Sequence, residues 1–302
     1  MRRFTTISEF HDFVQLPKPQ HPLFSVVDVG TVPHRYGAEP TGMVFDFYSI
    51  SVKRMRNVSV KYGQQPFDFN EGIMSFMAPQ QVFSMAVADQ AAEVEKSGWV
   101  IYIHPDFLWN TPLAKTIQQY DFWDYSLNEG LFLSAKEEAT VTAIIGAIEQ
   151  EYQSTIDRFS KQIIVSHVAN LLHYADRFYQ RQFITREKTN HQVLEQVEAL
   201  LHAYFNRNDL AESGLPSVQY VAEQLHLSPK YLGNLLRTLT GQNTQQHIHA
   251  QLIAKAKEKL STTNLTVSEI AYALGFEHLP SFSKLFKTKT KLSPLEFRAS
   301  FN

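Results

Sequence analysis

The chain has 302 residues, of which 44% are hydrophobic and 19% charged, and its formal net charge is −2 at pH 7. These values exclude a disordered or fibrous protein and suggest two domains, because one hydrophobic core rarely serves 300 residues. The complete absence of cysteine excludes disulfide bonds, thiolate metal sites and a cysteine nucleophile.

The first residues, MRRFTTISEF, contain two arginines but lack the apolar segment that follows the charged start of a signal peptide. No apolar run near them is long enough to span a bilayer. We therefore expect a cytoplasmic protein that has no membrane partner.

Residues 24–104 consist of short runs rich in Val, Ile, Phe and Tyr, which predict β-strands. The runs are FSVVDV, MVFDFYSISV, NVSVKYG, FDFN, IMSFMA, VFSMAVA and WVIYIH. Asn70-Glu71-Gly72 has the composition of a hairpin turn between two of them. The sequence therefore predicts a small β-barrel or sandwich, and we place this domain at residues 1–110.

Aromatic residues are frequent on these strands and could either line a ligand pocket or form the core. They are Phe45, Phe47, Tyr48, Phe67, Phe69, Phe76, Trp99 and Tyr102. The sequence leaves both interpretations open.

Two apolar stripes with helical period follow, within a segment that we place at residues 111–190. The first stripe is Val141, Ile144, Ile145, Ile148 and Tyr152, and the second is Ile164, Val168, Leu171, Leu172, Ala175 and Phe178. They predict two amphipathic helices that either cover the β-module or contact a second copy of the chain. The polar residues Thr185 to Asn190 read as a linker.

Residues 191–302 contain no strand-like run and several helix-capping signals. Thr266 precedes Glu269 by three residues, as in a capping box, and the pairs Ser228-Pro229 and Ser293-Pro294 combine a cap with a first-turn proline. We predict an all-helical C-terminal domain.

One pattern occurs twice in this helical part and is typical of a helix-turn-helix corner. Such a corner needs a small residue where its helices cross, supplied by Ala222 and Ala271, and a large apolar residue after the turn, supplied by Leu227 and Phe276. The second turn contains Gly275, whereas the first contains His226, although a positive φ is uncommon for a residue with a side chain.

Residues 243–261 between the two copies read as one uninterrupted helix, apolar at Ile248, Leu252, Ile253, Ala256 and Leu260. A helix of this length spans roughly 28 Å, and successive major grooves on one side of B-DNA lie ~34 Å apart. One polypeptide could thus present two recognition helices to consecutive grooves.

The segment GFEHLPSFSKLFKTKTKLSPLEFR, residues 275–298, closely resembles the signature of the AraC/XylS family of bacterial transcription regulators, and LSPKYLGNLLRTLTG resembles the family's first recognition helix. This resemblance implies a C-terminal DNA-binding domain joined to a cupin-like barrel that senses a small molecule or dimerises. It implies double-stranded DNA as a partner and favours activation, with RNA polymerase as a further partner.

Four positions depart from the family pattern. Pro280 stands where serine is usual, Lys284 where arginine is frequent, Lys291 where glycine is usual, and Leu252 where arginine is common. Proline is tolerated in a first helical turn, whereas Lys291 suggests a changed helix end.

We predict that DNA is read by the side chains of both recognition helices that lie off their apolar faces. They are Lys230, Gly233, Asn234 and Arg237 in the first, and His278, Leu279, Ser281, Lys284 and Lys287 in the second. Asn and Arg suit adenine and guanine edges, and Lys287 suits a phosphate. Outside this frame the lysines would be an ordinary solvated surface.

The charge distribution agrees with a polyanionic partner for the C-terminal part. From His226 to the end, the sequence contains ten lysines and arginines and four acidic residues, so this part has a net charge of +6. The rest of the chain has a net charge of −8. A chance skew would give the same numbers.

Two other classes of protein compete with a regulator. A cupin-type metal-dependent enzyme would need clustered histidines and a carboxylate, but the front half offers only the isolated His11, His21, His34 and His104. His247 and His249, two apart on a helix, point away from each other. An architectural DNA-binding protein would show little sequence preference. We therefore expect no enzyme activity, no metal and no cofactor.

Overall fold

A computed structural model of the protein describes residues 2–31, 41–56, 59–62, 65–68, 72–87, 95–207 and 209–301. Asn70 and Glu71 of the predicted hairpin turn, His34 and Phe69 lie outside these ranges. The chain divides into two compact units, Met1–Gln182 and Phe183–Asn302.

In the residues that the structure describes, ten strands form the sheets of the first unit, and each of the seven predicted runs overlaps at least one of them. They are β1 Arg2–Phe4, β2 Phe24–Asp28, β3 Thr41–Phe45, β4 Tyr48–Arg56, β5 Ser59–Tyr62, β6 Gln65–Asp68, β7 Ile73–Met77, β8 Val82–Val87, β9 Glu95–Ile103 and β10 Leu131–Phe132. The run MVFDFYSISV is split into β3 and β4 because the chain bends between Phe45 and Tyr48.

The strands form two five-stranded sheets, in the orders β1-β3-β8-β5-β6 and β10-β7-β4-β9-β2. Among the described pairings β1–β3 is parallel and the others are antiparallel. At the centre of the second sheet, β4 pairs with β7 on one side and β9 on the other. The sheet extends beyond the predicted 1–110 module, since β10 comes from the segment expected to be helical.

Most of the described aromatic residues of this unit pack as core. Phe45 and Phe47 stack with ring centroids 4.9 Å apart, and Tyr102 meets the Phe47 ring edge-on at 5.6 Å. Phe10, from a short helix that the sequence reading missed, packs against Phe45 at 4.9 Å. Such offset and edge-on contacts are the preferred packing of buried rings, so the core interpretation holds for these side chains.

The α-helices that begin in the first unit are α1 Ile7–Phe13, α2 Leu113–Thr116, α3 Ala135–Gln153 and α4 Ser160–Thr185. Both predicted stripes, on α3 and α4, are buried within the chain. The Tyr152 hydroxyl of α3 accepts a bond from the Gln20 backbone N–H at 2.7 Å, and the Tyr179 hydroxyl of α4 donates to the Glu129 carbonyl at 3.1 Å. Burial of both stripes within one chain favours the alternative that the helices cover their own β-module, and a dimer contact stays a prediction.

The second unit is helical throughout, as predicted. Its helices are α5 Glu187–Phe205, α6 Leu210–Ser213, α7 Val218–Gln224, α8 Pro229–Thr240, α9 Thr244–Thr262, α10 Val267–Ala273, α11 Leu279–Thr290 and α12 Pro294–Ala299. None of the helices that the structure describes combines the length and the apolarity needed to cross a membrane.

The predicted linker at 185–190 is wrong, because only Arg186 separates α4 from α5. Asn190, read as a polar linker residue, is buried, and its amide nitrogen donates to the Phe183 carbonyl at 2.7 Å. A carbonyl at the end of α4 thus receives a partner, which a polar composition alone does not reveal.

Candidate nucleic-acid interface

The first helix-turn-helix corner consists of α7 and α8. Ser228 caps α8 by accepting a bond from the Tyr231 backbone N–H at 3.2 Å, and Pro229 occupies the first turn, as predicted. His226 adopts a φ of 55°, the left-handed conformation that the sequence required of it. The corner is closed by a bond from the Leu227 backbone N–H to the Ala222 carbonyl at 3.0 Å.

The second corner consists of α10 and α11 and repeats this construction. Gly275 has a φ of 83°, and the Phe276 backbone N–H donates to the Ala271 carbonyl at 3.0 Å. Both crossing alanines, Ala222 and Ala271, are completely buried, which confirms their predicted role. The Phe276 ring contacts Phe282 of α11 at 5.3 Å and so joins the two helices.

Glycine is required at the second turn for two reasons. A Cβ at position 275 would stand 2.8 Å from the Leu210 carbonyl oxygen and 3.0 Å from the backbone of Gly214, in addition to the positive φ. The backbone of α6 and of Gly214 after it therefore approaches this turn too closely for any side chain.

The long helix between the corners is uninterrupted, as predicted. Asn243 and Gln246 form a capping box at its start, and all five predicted apolar residues are buried. With 19 residues, α9 spans roughly 28 Å.

Arg298 fixes the far end of this helix, a role that the sequence reading did not assign. Its guanidinium donates to the Leu265 carbonyl at 2.6 Å and to the Leu260 carbonyl at 3.3 Å. It thereby gives partners to carbonyls at and beyond the end of α9 and ties α12 to the loop before α10. The last turn of a helix leaves carbonyl groups without partners, and an arginine can donate to them. The presence of Arg298 near the end of the sequence is the signal that could have indicated this role.

The two recognition helices end in the same way, although their cap residues differ. Gly241 follows α8 with a φ of 73°, and Lys291 follows α11 with a φ of 67°. The backbone N–H of each donates a hydrogen bond of 2.9 Å to the carbonyl four residues earlier. The prediction that Lys291 changes the helix end is therefore wrong. The lysine adopts the left-handed conformation, at the steric cost that glycine avoids.

The predicted reading residues of α8 are not equally accessible. Lys230 and Arg237 are exposed, Gly233 is half-buried, and Asn234 is only 9% exposed. The Asn234 side-chain oxygen accepts a bond from the Arg237 guanidinium at 3.0 Å. Asn234 thus departs from the expectation that it lies on an open face, and it orients Arg237.

The predicted reading residues of α11 form a more open surface. His278, Ser281, Lys284 and Lys287 are exposed, whereas Leu279 is half-buried because it starts the helix beside the core. Pro280 lies in the first turn, where its missing N–H costs nothing, as predicted. The exposed Thr288, one turn after Lys284, extends this surface and was not predicted.

Three described histidines of the β-module, His11, His21 and His104, have structural partners. The His11 ring bonds the Pro17 carbonyl oxygen at 2.6 Å and the Ser25 hydroxyl at 3.0 Å, and burial lowers its pKa. His21 and His104 each accept a backbone N–H two residues ahead. Within the described part of the chain, no three His, Asp or Glu side chains are grouped to hold a metal ion.

Comparison with known proteins places the resemblance in the C-terminal part. A family model described as a helix-turn-helix domain matches residues 221–300. The arabinose operon regulatory protein of Escherichia coli (strain K12) is 37% identical over 90 residues, which are 30% of each chain. YfiF, an uncharacterised HTH-type transcriptional regulator of Bacillus subtilis (strain 168), is 29% identical over 157 residues, 52% of this chain and 46% of YfiF.

Among solved structures, the C-terminal domain of AraT, a response regulator from Geobacillus stearothermophilus, is 26% identical with a TM-score of 0.32 and covers 36% of this chain and 84% of that one. The matches to the curated relatives named above span less than half of each relative's length, and others span as little as 17%. The matched segment contains most of α7 and all of α8 to α12, with the GF, FxxxFK, SP and FR signature. Residues 221–300 thus match a helix-turn-helix domain and are similar to part of the arabinose operon regulatory protein.

Proposed function

We propose that the protein is a sequence-specific regulator of transcription that binds double-stranded DNA through α8 and α11. The observation that carries this proposal is the repeated corner, closed by the same backbone bond at 3.0 Å in both copies and joined by one unbroken helix. Two like corners on one rod of roughly 28 Å suit two grooves ~34 Å apart.

The exposed residues suggest how the reading is divided. Arg237, held by Asn234, has the side chain that pairs best with guanine edges, and Lys230 lies one turn before Asn234 on the same side. On α11, His278, Ser281 and Lys284 offer donors for base edges or phosphates. Lys287 is suited to a phosphate because it is exposed and carries a compact charge.

The front unit supplies the regulation in this proposal. The family resemblance supports a cupin-like barrel that binds a small effector and a chain that acts as a homodimer, and the two five-stranded sheets are compatible with such a barrel. A dimer contact would use surfaces other than the buried stripes of α3 and α4. Sedimentation of the full chain with and without candidate effectors tests both statements.

The output of regulation is activation, with RNA polymerase as the partner, in the cytoplasm of a bacterium where chromosomal DNA is accessible. No catalytic step is part of this proposal. The names of the relatives above, which describe regulators, support this assignment for the matched segment.

Selection of bound sequences from random duplexes by the full-length protein tests the function directly. We expect enrichment of a site with two blocks about one helical turn apart and a selected-over-random affinity ratio of at least ~10³. A uniform affinity for all duplexes would instead indicate an architectural protein, and stoichiometric iron, zinc or manganese in the purified protein would revive the enzyme alternative.

A further inference from the structure

The two histidines of α9 have different neighbours, and the proposed reading surface uses neither. The His247 ring lies 2.9 Å from the Thr240 hydroxyl at the end of α8. The His249 ring lies 3.0 Å from the Gln245 amide nitrogen and borders a separate cleft that also includes Lys289 of α11. His249 is therefore the histidine of α9 that lines this cleft.

This cleft has a volume of about 220 Å³ and lies between the first half of α9 and the end of α11. Its lining residues are Gln242, Gln246, His249, Ala250, Ile253 and Lys289. None of them is an acid. A volume of several water molecules, with Ala250 and the buried Ile253 as its apolar lining, suits a small polar ion better than a drug-sized ligand.

The polar groups of the cleft are arranged as hydrogen-bond donors. The Gln246 side-chain oxygen is used at the helix start, where it accepts the Asn243 backbone N–H at 2.8 Å, so its amide nitrogen is left for the cleft. Gln245 donates its amide to the Nε2 atom of His249, which places the proton of the neutral ring on Nδ1. Lys289 adds three donors and a positive charge.

The charges of the cleft favour an anion between α9 and α11. Burial first, and then the nearby Lys289, lower the pKa of His249. Lys289 forms no ion pair among the residues that the structure describes. Two groups that repel each other when both are charged would both be stabilised by a negative ion between them.

The cleft is distinct from the DNA-reading surface. On a helix, residues three and seven apart share a side, so Lys289 lies on the side of Phe286 and Phe282, which are both completely buried. The exposed Lys284 and Lys287, five and two residues before Lys289, point about 140° and about 160° away from it around the helix.

We propose that this cleft binds a small oxyanion of the phosphate class, held by Lys289, His249 and the amide of Gln246. The bound ion would connect α11 to the first half of α9 and so stabilise the position of the second helix-turn-helix corner relative to α9. This site does not depend on the proposed reading of DNA, because it uses none of the reading residues.

The test is an NMR titration of the full chain with ¹³C-labelled histidine rings, the His249 signal being assigned from its absence in His249→Gln. Sodium phosphate is compared with sodium chloride at matched ionic strength. We expect a saturable shift of the His249 signal with phosphate alone and a rise in its pKa of about half a unit or more, since a nearby anion favours the charged ring.

Lys289→Gln should weaken phosphate binding at least about tenfold, because it removes a charge-assisted contact. Lys136→Gln, which removes an exposed lysine on α3, is the matched control and should bind as the unchanged protein does. Equal responses to phosphate and chloride, or full phosphate binding by Lys289→Gln, would overturn the proposal. A His249 response to a random duplex but not to phosphate would also overturn it and assign the cleft to the DNA backbone.

Discussion

Glycine at position 275 illustrates how closely the second corner is packed. Gly275→Ala would bring a Cβ to 2.8 Å from the Leu210 carbonyl oxygen at a positive φ, so we expect a loss of at least ~2 kcal/mol in the free energy of unfolding. Gly233→Ala is the matched control, because its new Cβ would meet only the Thr244 hydroxyl at 3.9 Å inside a helix. It should stabilise by about 0.5–1 kcal/mol. Urea unfolding measures both, and equal effects would contradict this packing.

The ends of α8 and α11, where Gly241 and Lys291 both adopt the left-handed conformation, allow opposite substitutions to be compared. Lys291→Gly should stabilise the protein by about 0.5–1 kcal/mol, because it removes a side chain from a left-handed position. Gly241→Ala should destabilise by a similar amount, since open space around its Cβ leaves only the backbone cost. Thermal unfolding of both variants checks the signs, and a Lys291→Gly variant that is less stable would show that the lysine side chain contributes more than its backbone costs.

Lys287 has a role that ionic strength can isolate. If its exposed ammonium contacts one phosphate, Lys287→Ala should weaken binding to cognate and random duplexes alike and lower the salt slope of log affinity by about one. Lys115→Ala, an exposed lysine of the front unit, controls for the loss of charge. An unchanged slope for Lys287→Ala, measured by anisotropy across salt concentrations, would remove the phosphate role.

Several residue-level features could be predicted from the sequence, and others could not. The positive φ of His226 could be predicted because His226 stands in the first turn where Gly275 stands in the second, and a tight turn of this kind needs a left-handed residue at that position. The burial of Asn234 and Asn190 did not follow, since a polar side chain at a helical position is read as exposed unless its partner is known. Their partners, Arg237 and the Phe183 carbonyl, became identifiable only with the fold.

Helix starts in the second unit depend on capping carboxylates, and these give the unit a pH dependence. Backbone N–H bonds from Thr266 and Ser293 lower the pKa of Glu269 and Glu296, respectively. A carboxyl with a lowered folded pKa contributes stability that is complete above its unfolded value of ~4.3 and is lost as the pH falls through the folded value. Stability should therefore decline in the window below about pH 4.5.

The paired substitution Glu269→Gln and Glu296→Gln tests this dependence, because glutamine can still accept both N–H bonds but does not titrate. We expect a smaller loss of stability between pH 7 and pH 3.5 than in the unchanged chain, measured by urea midpoints. Glu277→Gln, which lies outside both capping boxes, controls for the removal of an acid. Identical acid profiles for the paired variant and the unchanged protein would exclude these caps as the cause.

Elements with a long apolar period were predictable, and those defined by distant contacts were not. α3, α4 and α9 follow from stripes that a helix must bury. An apolar stripe shows that one face of a helix is buried, but not which part of the chain or which partner covers that face. The sequence alone therefore left open whether α3 and α4 pack on their own β-module or on a second copy. α1 was missed although its Thr6–Glu9 capping box was visible in the sequence, because seven residues give too short a period.

The order of the two sheets also lay beyond the sequence. The pairing of β1 with β3, and of β10 with β7, joins segments far apart in the chain, and register is set by packing of faces that only the folded sheets define. Two units agree with the number expected from chain length, but the boundary after Gln182 falls inside α4, where no change from strand-like to helical period marks it. The basic charge of the C-terminal part agrees with its proposed DNA partner.

The central claim is that one rigid chain places two recognition helices in consecutive major grooves. Its most direct test compares the affinity of the full-length protein for a selected duplex with its affinity for the same duplex carrying five extra base pairs between the two blocks. Half a helical turn moves the second block to the opposite side of the DNA, so we predict a loss of at least ~10²-fold, close to single-block binding. An affinity unchanged by the insertion would contradict the account.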